Sequence, residues 1–156
     1  MRVGEARWLD EQEARVWRAI IGLQQRLLSE LERQMIREAG LSGADYALLV
    51  PLSEAPDRLL RARDLGRIVG WKRSRVSHQV ARMEKRGLVV REECAADARG
   101  SMVRLTDAGR AAIVAAAPAH VAAVRQHFFD ALTDAELDVL GPALERVLDR
   151  LPENDS

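Results

Sequence analysis

Residues 60–105 decide the fold of this chain, and they read LRARDLGRIVGWKRSRVSHQVARMEKRGLVVREECAADARGSMVRL. A first helix is predicted at the start of this segment, and Gly70 is placed to end it. Its apolar residues are Leu60, Leu65, Ile68 and Val69. A second helix is predicted from about Arg73 to Arg86, and Gly87 follows as its stop. The pattern therefore indicates two helices joined by a tight turn.

Two short runs after the second helix predict a pair of strands. Residues 88–91 (LVVR) and 102–105 (MVRL) are rich in apolar and β-branched residues that partly alternate with polar ones. Residues 93–100 lie between them and are too small and polar to form a core. A helix-turn-helix followed by a hairpin is typical of a winged DNA-binding module. The sequence predicts a fold that is mainly α with a small β-hairpin wing.

The charge of this segment differs from that of the whole chain. Overall, 24 Lys and Arg residues balance 24 Asp and Glu residues. Residues 58–104 alone hold 13 basic side chains against 5 acidic ones, an excess of eight positive charges. A concentrated basic region in a neutral protein is typical of a phosphate-binding surface, and a solvated charged face is the alternative. Because the excess coincides with the helix-turn-helix pattern, we expect double-stranded DNA as the partner.

Length and composition narrow the class of protein further. The chain has 156 residues, 47% of them hydrophobic, which predicts one domain over residues 1–156. No apolar run approaches the roughly 20 residues of a membrane helix, and the N-terminus lacks the apolar stretch of a signal peptide. A single cysteine excludes an internal disulfide and fits a reducing compartment. From these three observations together we expect a cytoplasmic protein with no membrane partner. Enzyme motifs are absent from the sequence, and we expect neither an enzyme nor a cofactor.

A long amphipathic helix is predicted before this segment, within residues 8–40. Its apolar stripe recurs every three or four residues and comprises Val16, Ile20, Leu23, Leu27, Leu31 and Met35. Ser42 and Asp45 then form a capping-box pattern that opens a short helix. Pro51 and Pro56 are expected to bracket a loop.

Two more helices are predicted after the hairpin, within residues 106–151. Thr106 is placed to cap the first, and Thr133 begins a capping box for the second. The second carries a helix-pairing seam of Leu137, Leu140, Leu144, Val147 and Leu151. The winged lobe, about residues 41–105, is too small to cover the apolar faces of the terminal helices. The simplest partner that could cover them is a second copy of the chain. A homodimer also presents two recognition helices to a palindrome, whereas the alternative is a monomer whose terminal helices wrap their own core.

Several stretches resemble the MarR family of transcriptional regulators. They are LGRIVG (65–70), SRVSHQV (74–80), RMEKRGLV (82–89), DARG (97–100) and VRLTDAG (103–109). The last three are the most specific, because the family's wing carries Asp-x-Arg before its second strand, which leaves through Leu-Thr-x-x-Gly. The resemblance covers nearly the whole chain and implies that the terminal helices are dimerisation helices. One departure is Trp71-Lys72, where family members often have Ser or Asp opening the recognition helix.

The second helix of the segment divides into faces at about 100° per residue. Val76, Val80 and Met83 fall on one narrow face, which should pack inward. The predicted DNA contacts on this helix are Arg73, Ser74, Arg75, Ser77, His78, Gln79, Arg82 and Lys85. The N-terminal part of such a helix usually enters the major groove, so the base-reading candidates are Ser74, Arg75, His78 and Gln79. Arg73, Arg82 and Lys85 lie further out and are expected to contact phosphate.

Arg99 is the predicted DNA contact of the wing. Gly100 beside it allows a tight tip, and the tip is too short to bury a guanidinium group. An exposed arginine there suits a narrow, electronegative minor groove, and an unpaired surface arginine is the alternative. In the resembled family the matching arginine enters the minor groove, and the resemblance implies that Asp97 braces the wing.

Three other features each allow a structural and a functional interpretation. Cys94 is either a thiol sensor or, as we favour, an incidental cysteine, because Glu92 and Glu93 oppose a lowered thiol pKa. His120 and His127 are too few to predict a metal site. Trp8 and Trp17 are expected to pack at the dimer seam, and stacking on an aromatic effector is the alternative.

These observations predict a sequence-specific transcriptional regulator. Its expected form is a homodimeric repressor that binds a pseudo-palindromic operator and is released by a small-molecule effector. The resemblance implies an effector site between the dimerisation helices and the DNA-binding lobe, with no ligand-binding residues identified. Two alternatives are a sequence-tolerant architectural DNA-binding protein and a winged helix used for protein–protein contact.

Overall fold

The computed structural model describes residues 6–93 and 100–152, and it confirms a mostly helical fold with a small antiparallel sheet. The helices are α1 (Glu11–Ala39), α2 (Gly43–Glu54), α3 (Ala62–Val69), α4 (Arg73–Lys85), α5 (Asp107–His127) and α6 (Asp134–Leu148). The strands are β1 (Leu59–Arg61), β2 (Val89–Glu93) and β3 (Ser101–Leu105). Helices α3 and α4 form the helix-turn-helix, and β2 with β3 forms the wing.

Signals in the sequence set several helix ends. Helix α1 stops at Gly40, whose φ of 65° is left-handed and suits glycine. The two predicted capping boxes are both present, Ser42 with Asp45 at α2 and Thr133 with Glu136 at α6. In each box a side-chain oxygen accepts a hydrogen bond from a backbone N–H that the first helical turn leaves unpaired.

The first helix of the helix-turn-helix is shorter than predicted. Leu60 lies in β1 rather than in that helix, and β1 pairs antiparallel with β3 with Leu60 opposite Val103. The strand order is therefore β1–β3–β2, so the two wing strands are the central strand and one edge strand of a three-stranded sheet. A strand of three residues is too short to show alternation in the sequence, and leucine fits either structure.

The predicted loop between the two prolines was also wrong in part. Pro51 lies inside α2, which continues to Glu54. Proline removes one backbone donor and normally disfavours a helix interior. Here Leu48, Leu49 and Leu52 are fully buried on one face of α2, so burial of Leu52 beyond the proline holds the last turn in place.

One apolar core joins α2, α3, α4, the sheet and the first half of α5. The inward face predicted for α4 is confirmed, since Val76, Val80 and Met83 are at most 1% exposed. The remaining members of the core are Met35, Leu41, Leu48, Leu49, Leu52, Leu65, Leu88, Val89, Val103, Leu105, Ile113 and Ala116. This core fixes the recognition helix α4 against the sheet that carries the wing.

The junction between the wing and α5 is set by the Leu-Thr-x-x-Gly motif. The Thr106 hydroxyl accepts the Gly109 N–H at 3.0 Å and donates to the Gly87 carbonyl at 2.6 Å. The Thr106 N–H donates to the Leu88 carbonyl at 3.2 Å. A Cβ atom on Gly109 would lie 2.1 Å from that same carbonyl oxygen, so only glycine allows this approach. The motif thus joins the end of α4 to the start of α5.

The terminal helices leave much of their apolar surface uncovered. Only Gln34 and Met35 are buried in α1, and no residue of α6 is buried. The exposed apolar side chains include Trp8 (86%), Val16 (52%), Trp17 (56%), Leu144 (46%), Val147 (58%) and Leu148 (65%). None of the helices in the described ranges, 6–93 and 100–152, has the length and hydropathy needed to cross a membrane.

Candidate nucleic-acid interface

Helix α4 presents most of the predicted DNA contacts to solvent. Its inward face is fixed by the core, so the opposite face is exposed over the full length of the helix. The exposed members of the predicted set are Arg73, Ser74, Arg75, Ser77, His78, Arg82 and Lys85. These side chains therefore form one polar, basic face, and we call it the α4 face.

Gln79 does not belong to the α4 face, contrary to the prediction. Its side chain is 5% exposed, and its Nε2 donates to Asp45 Oδ1 at 2.7 Å. Its Oε1 accepts from Arg82 Nη2 at 3.1 Å. Because both ends of the amide are engaged inside the protein, Gln79 positions α4 and Arg82 instead of facing a base edge.

Asp45 ties α4 to the end of α1. Its carboxylate is 2% exposed and accepts from the Ser42 N–H at 2.9 Å and from Arg86 Nη1 at 2.6 Å. Arg86 Nη2 donates in turn to the Gly40 carbonyl, the C-cap of α1, at 2.8 Å. The buried Asp45 carboxylate thus connects the α1–α2 junction with Gln79 in α4 and with Arg86, the C-cap of α4.

The first turn of α4 is unusually positive. Lys72 is the N-cap and makes no side-chain capping bond, and the turn contains Arg73 and Arg75 with no acidic residue. The N-terminus of a helix already carries partial positive charge, so cations there cost stability and anions are attracted. The Arg75 guanidinium carbon lies 3.9 Å from the centre of the Trp71 ring. This end of the helix is therefore suited to a negatively charged partner.

A cleft rich in arginine lies between the helix-turn-helix and the sheet. Its volume is about 660 Å³, and its arginines are Arg61, Arg63, Arg67, Arg73 and Arg91. Asp64 contacts two of them, Arg63 at 3.5 Å and Arg67 at 3.6 Å. None of the described residues that line the cleft carries a carboxylate. We call it the arginine cleft, and its charge suits a phosphate backbone.

Arg91 joins the wing to the recognition helix. Its Nη2 donates to the Ser77 carbonyl at 2.6 Å, and its backbone N–H donates to Glu84 Oε1 at 3.1 Å. Both contacts cross from β2 to α4, and they fix the angle between the wing and this helix. Sequence reasoning missed this role, because Arg91 follows Ser77 by 14 residues and no local pattern marks the pair.

The two wing strands are also held by an ion pair. Arg104 donates from Nε and Nη2 to the Glu92 carboxylate, the second contact at 3.0 Å. These hydrogen bonds lower the pKa of Glu92 and raise the pKa of Arg104. The predicted DNA contact Arg99, the predicted wing-bracing residue Asp97 and the cysteine Cys94 lie outside the described residues.

The histidine considered for metal binding packs against an aromatic ring. The His120 and Tyr46 rings lie 4.6 Å apart, and burial lowers the pKa of His120. Burial also raises the pKa of the Tyr46 phenol, with the Glu54 charge adding to the shift. Within residues 6–93 and 100–152, no group of three His, Cys, Asp or Glu side chains is arranged to hold a metal ion.

Comparison with known proteins assigns the family. A model of the MarR family matches residues 39–100. The crystal structure of Sco3205, a MarR family transcriptional regulator from Streptomyces coelicolor in complex with DNA, is 43% identical to this chain with a TM-score of 0.91. That match covers 97% of this chain and 96% of the other. The chain belongs to the MarR family of transcriptional regulators.

Two further structures agree with this MarR-family fold. AbsC, also a MarR family transcriptional regulator from Streptomyces coelicolor, is 38% identical with a TM-score of 0.87, over 92% of this chain and 97% of that one. BpsR from Bordetella bronchiseptica is 22% identical with a TM-score of 0.74, over 85% of this chain and 98% of that one, and shares the fold. A comparison with curated proteins found no match.

Proposed function

We propose that this MarR-family chain is a sequence-specific repressor that binds a pseudo-palindromic operator as a homodimer. The observation that carries the proposal is the exposed basic α4 face, set beside the arginine cleft on a rigid core. A cytoplasmic location follows from DNA as the partner. Residues 1–156 act as one domain, with a winged lobe at about 41–105 and dimerisation helices at about 8–40 and 106–151.

The proposed contacts fall into two kinds. Ser74, Arg75 and His78, near the start of α4, read base edges in the major groove. The basic residues further along and around the helix contact phosphate and set its register: Arg73, Arg82 and Lys85, with Ser77 beside them. The DNA complex of Sco3205, 43% identical to this chain, supports DNA binding. We also propose that Arg99 enters the minor groove and that Asp97 braces the wing.

A second copy of the chain is the proposed cover for the terminal helices. Helix α1 has 29 residues, so it is about 43 Å long, yet its two buried residues both lie near its C-terminal end. Trp8 just before α1, Trp17 in α1, and Leu144 and Val147 of α6 are exposed, and they form apolar surface that a folded monomer leaves in water. A two-fold dimer through these helices would bury that surface and pair two α4 faces.

Release by a small molecule is the regulatory part of the proposal. DNA binding of BpsR, which has the same fold, is regulated by 6-hydroxynicotinic acid. In a dimer, a ligand needs only to favour a separation of the two recognition helices that does not match the half-sites. The proposal does not depend on the identity of that ligand.

Selection from a random pool of DNA duplexes tests the proposal. The purified chain is mixed with the pool at physiological salt, and retained duplexes are sequenced after several rounds. We expect enrichment of one two-fold symmetric sequence with half-sites about one helical turn apart. Retention without enrichment would favour an architectural DNA-binding protein, and no retention would favour a winged helix for protein contact. Either of these results overturns the proposed function.

A further inference from the structure

We infer that Trp71 is a positioning residue for base recognition, because its ring holds the Arg75 guanidinium ready to read one base pair in each half-site. This inference rests on the proposed function, in which Arg75 contacts a base edge. It concerns the two residues, Trp71 and Lys72, at which the chain departs from the Ser or Asp expected at the start of the recognition helix. It assigns Trp71 a role in sequence preference and not in general DNA affinity.

The Trp71 ring is held in place by the turn that precedes α4. Gly70 ends α3 in the left-handed region with a φ of 68°, and the Trp71 N–H donates to the Gly66 carbonyl at 2.9 Å. A Cβ on Gly66 would lie 3.0 Å from the Trp71 carbonyl oxygen, which shows how closely α3 and this turn approach. The side chain is partly buried against the core. Contact with the core and the turn therefore anchors the ring.

The Arg75 guanidinium group lies over the Trp71 ring. Its guanidinium carbon lies 3.9 Å from the ring centre, which is a stacked cation–π distance. Trp71 and Arg75 are four residues apart, and Arg75 is exposed on the α4 face. A guanidinium group that stacks by its face keeps its N–H edge free, and that edge makes two parallel hydrogen bonds to guanine O6 and N7.

The electrostatics of the first turn of α4 explain why the Arg75 side chain needs a positioning residue. Arg75 shares that turn with Arg73, no acidic residue lies there, and both are at the positive end of the helix. A free arginine at this place would turn away from the helix end and lose side-chain entropy when it binds. Stacking on Trp71 offsets the repulsion between Arg75 and the positive helix end. It also orders the Arg75 side chain before DNA binds, which reduces the side-chain entropy lost on binding.

The test compares four variants on the selected operator and on duplexes that carry one altered base pair. The variants are Trp71→Leu, Trp71→Phe, Arg75→Ala and the double variant Trp71→Leu/Arg75→Ala. Affinities are measured by fluorescence anisotropy, and circular dichroism checks the fold. Leucine keeps an apolar group against the core but removes the π face, and phenylalanine restores it. Lys72→Ala is the matched control, because Lys72 is an exposed basic neighbour that makes no capping bond.

Arg75→Ala is expected to remove the preference at one base position in each half-site. Trp71→Leu should weaken the preference at that same position by about two- to fivefold and leave the other positions unchanged. Trp71→Phe should retain most of the preference. In the Arg75→Ala background, Trp71→Leu should have no further effect at that position. Lys72→Ala should weaken all duplexes alike.

Two results would overturn the inference while leaving the proposed function intact. One is a Trp71→Leu variant that loses affinity equally for every duplex. The other is a loss at the Arg75 position that persists in the Arg75→Ala background. If Trp71→Leu does not fold, the Trp71→Phe variant decides, since a loss of preference as large as in Arg75→Ala contradicts a role for the aromatic face. A parent protein without any sequence preference would refute both the inference and the proposed function.

Discussion

Asp45 accepts hydrogen bonds from the Ser42 amide, the Gln79 side chain and the Arg86 guanidinium, and its own side chain is 2% exposed. Removal of this carboxylate would leave the Gln79 amide buried without its acceptor. The Arg86 side chain is 45% exposed, so water can replace part of that contact. The cost of losing Asp45 therefore comes mainly from the buried amide, with a smaller part from the Ser42 N–H that loses its acceptor in the α2 capping box.

We predict that Asp45→Ala lowers the free energy of unfolding by about 1–4 kcal/mol, the sum of a stranded buried donor and the lost half of a capping box. Urea denaturation at neutral pH measures the change. Asp138→Ala is the control, because Asp138 is exposed on α6, and it should change stability by less than about 0.5 kcal/mol. Equal effects of the two substitutions would show that the Asp45 contacts contribute nothing.

Gln79 illustrates how far residue roles could be predicted. Helical periodicity correctly assigned Val76, Val80 and Met83 to the core, because three apolar residues define one face. Gln79 lies at the edge of that face, and its polar side chain indicated exposure. Its partner Asp45 is 34 residues away in sequence, so no local pattern could show that a buried carboxylate would hold it.

At the scale of elements, the approach of Gly109 to the Leu88 carbonyl fixes where α5 begins. A Cβ at position 109 would lie 2.1 Å from that backbone oxygen and 2.6 Å from Leu105 Cδ1. The Leu105 contact is with the end of a side chain, which can shift, but the Leu88 contact is with backbone and cannot be relieved in that way. We predict that Gly109→Ala destabilises the protein by about 1–3 kcal/mol or more, as overpacking does, and thermal unfolding measures it.

Gly141→Ala is the matched control for this substitution. Gly141 lies inside α6, and a Cβ there would meet no atom of the chain within 4 Å. Alanine is favoured over glycine in a helix by up to about 1 kcal/mol, so the control should leave the melting temperature unchanged or raise it. A Gly109→Ala variant as stable as the parent would contradict the close packing at this junction.

The wing supplies a prediction that concerns DNA shape. Arg99→Ala is expected to weaken the free energy of operator binding by at most about a few kcal/mol per dimer. This is the size of effect expected when minor-groove and phosphate contacts are lost. Preference for A·T-rich flanks should fade, because narrow minor grooves concentrate negative potential. Affinities on operators with A·T-rich and G·C-rich flanks measure this, with Arg125→Ala on α5 as control. An unchanged flank preference in Arg99→Ala would show that the wing does not read the minor groove.

Elements were predicted best where capping and periodicity agreed. The capping residues Ser42 and Thr133 each begin a helix at the predicted place. Leu60 was assigned to a helix because three-residue strands carry no periodic signal, and its pairing with Val103 depends on residues far along the chain. Pro51 was predicted to begin a loop, because proline disfavours helix interiors. In the structure, burial of Leu52 keeps α2 intact beyond Pro51.

At the scale of the whole molecule, the proposed dimer would be formed by the apolar seam of α6 and the stripe of α1. Leu144 is 46% exposed in the single chain and belongs to the predicted seam. Leu144→Asp would place an unpaired charge in a dimer interface, at a cost of several kcal/mol. Light scattering should show a dimer for the parent and a monomer or aggregate for the variant.

Val139→Asp is the control for the dimer prediction. Val139 is 71% exposed on the same helix but lies outside the predicted seam, so this variant should remain dimeric. A parent that is monomeric at micromolar concentration and still binds a palindrome tightly would contradict the proposed assembly.

The sequence also predicted the broad function, because the positive charge of this neutral chain is concentrated in residues 58–104. The arginine cleft was not predicted, since Arg61 and Arg91 come from different strands and meet α4 only in the folded lobe. In the proposed dimer, the operator sequence would depend on the approach of two recognition helices, which neither periodicity nor composition encodes.

A competition titration tests sequence-specific recognition most directly. The parent protein is bound to the selected palindrome at physiological salt and displaced by unlabelled duplex, either the same sequence or a scrambled one of equal composition. The account predicts that the scrambled duplex competes at least about a thousandfold less well, as for specific protein–DNA recognition. Equal competition by the two duplexes would contradict it.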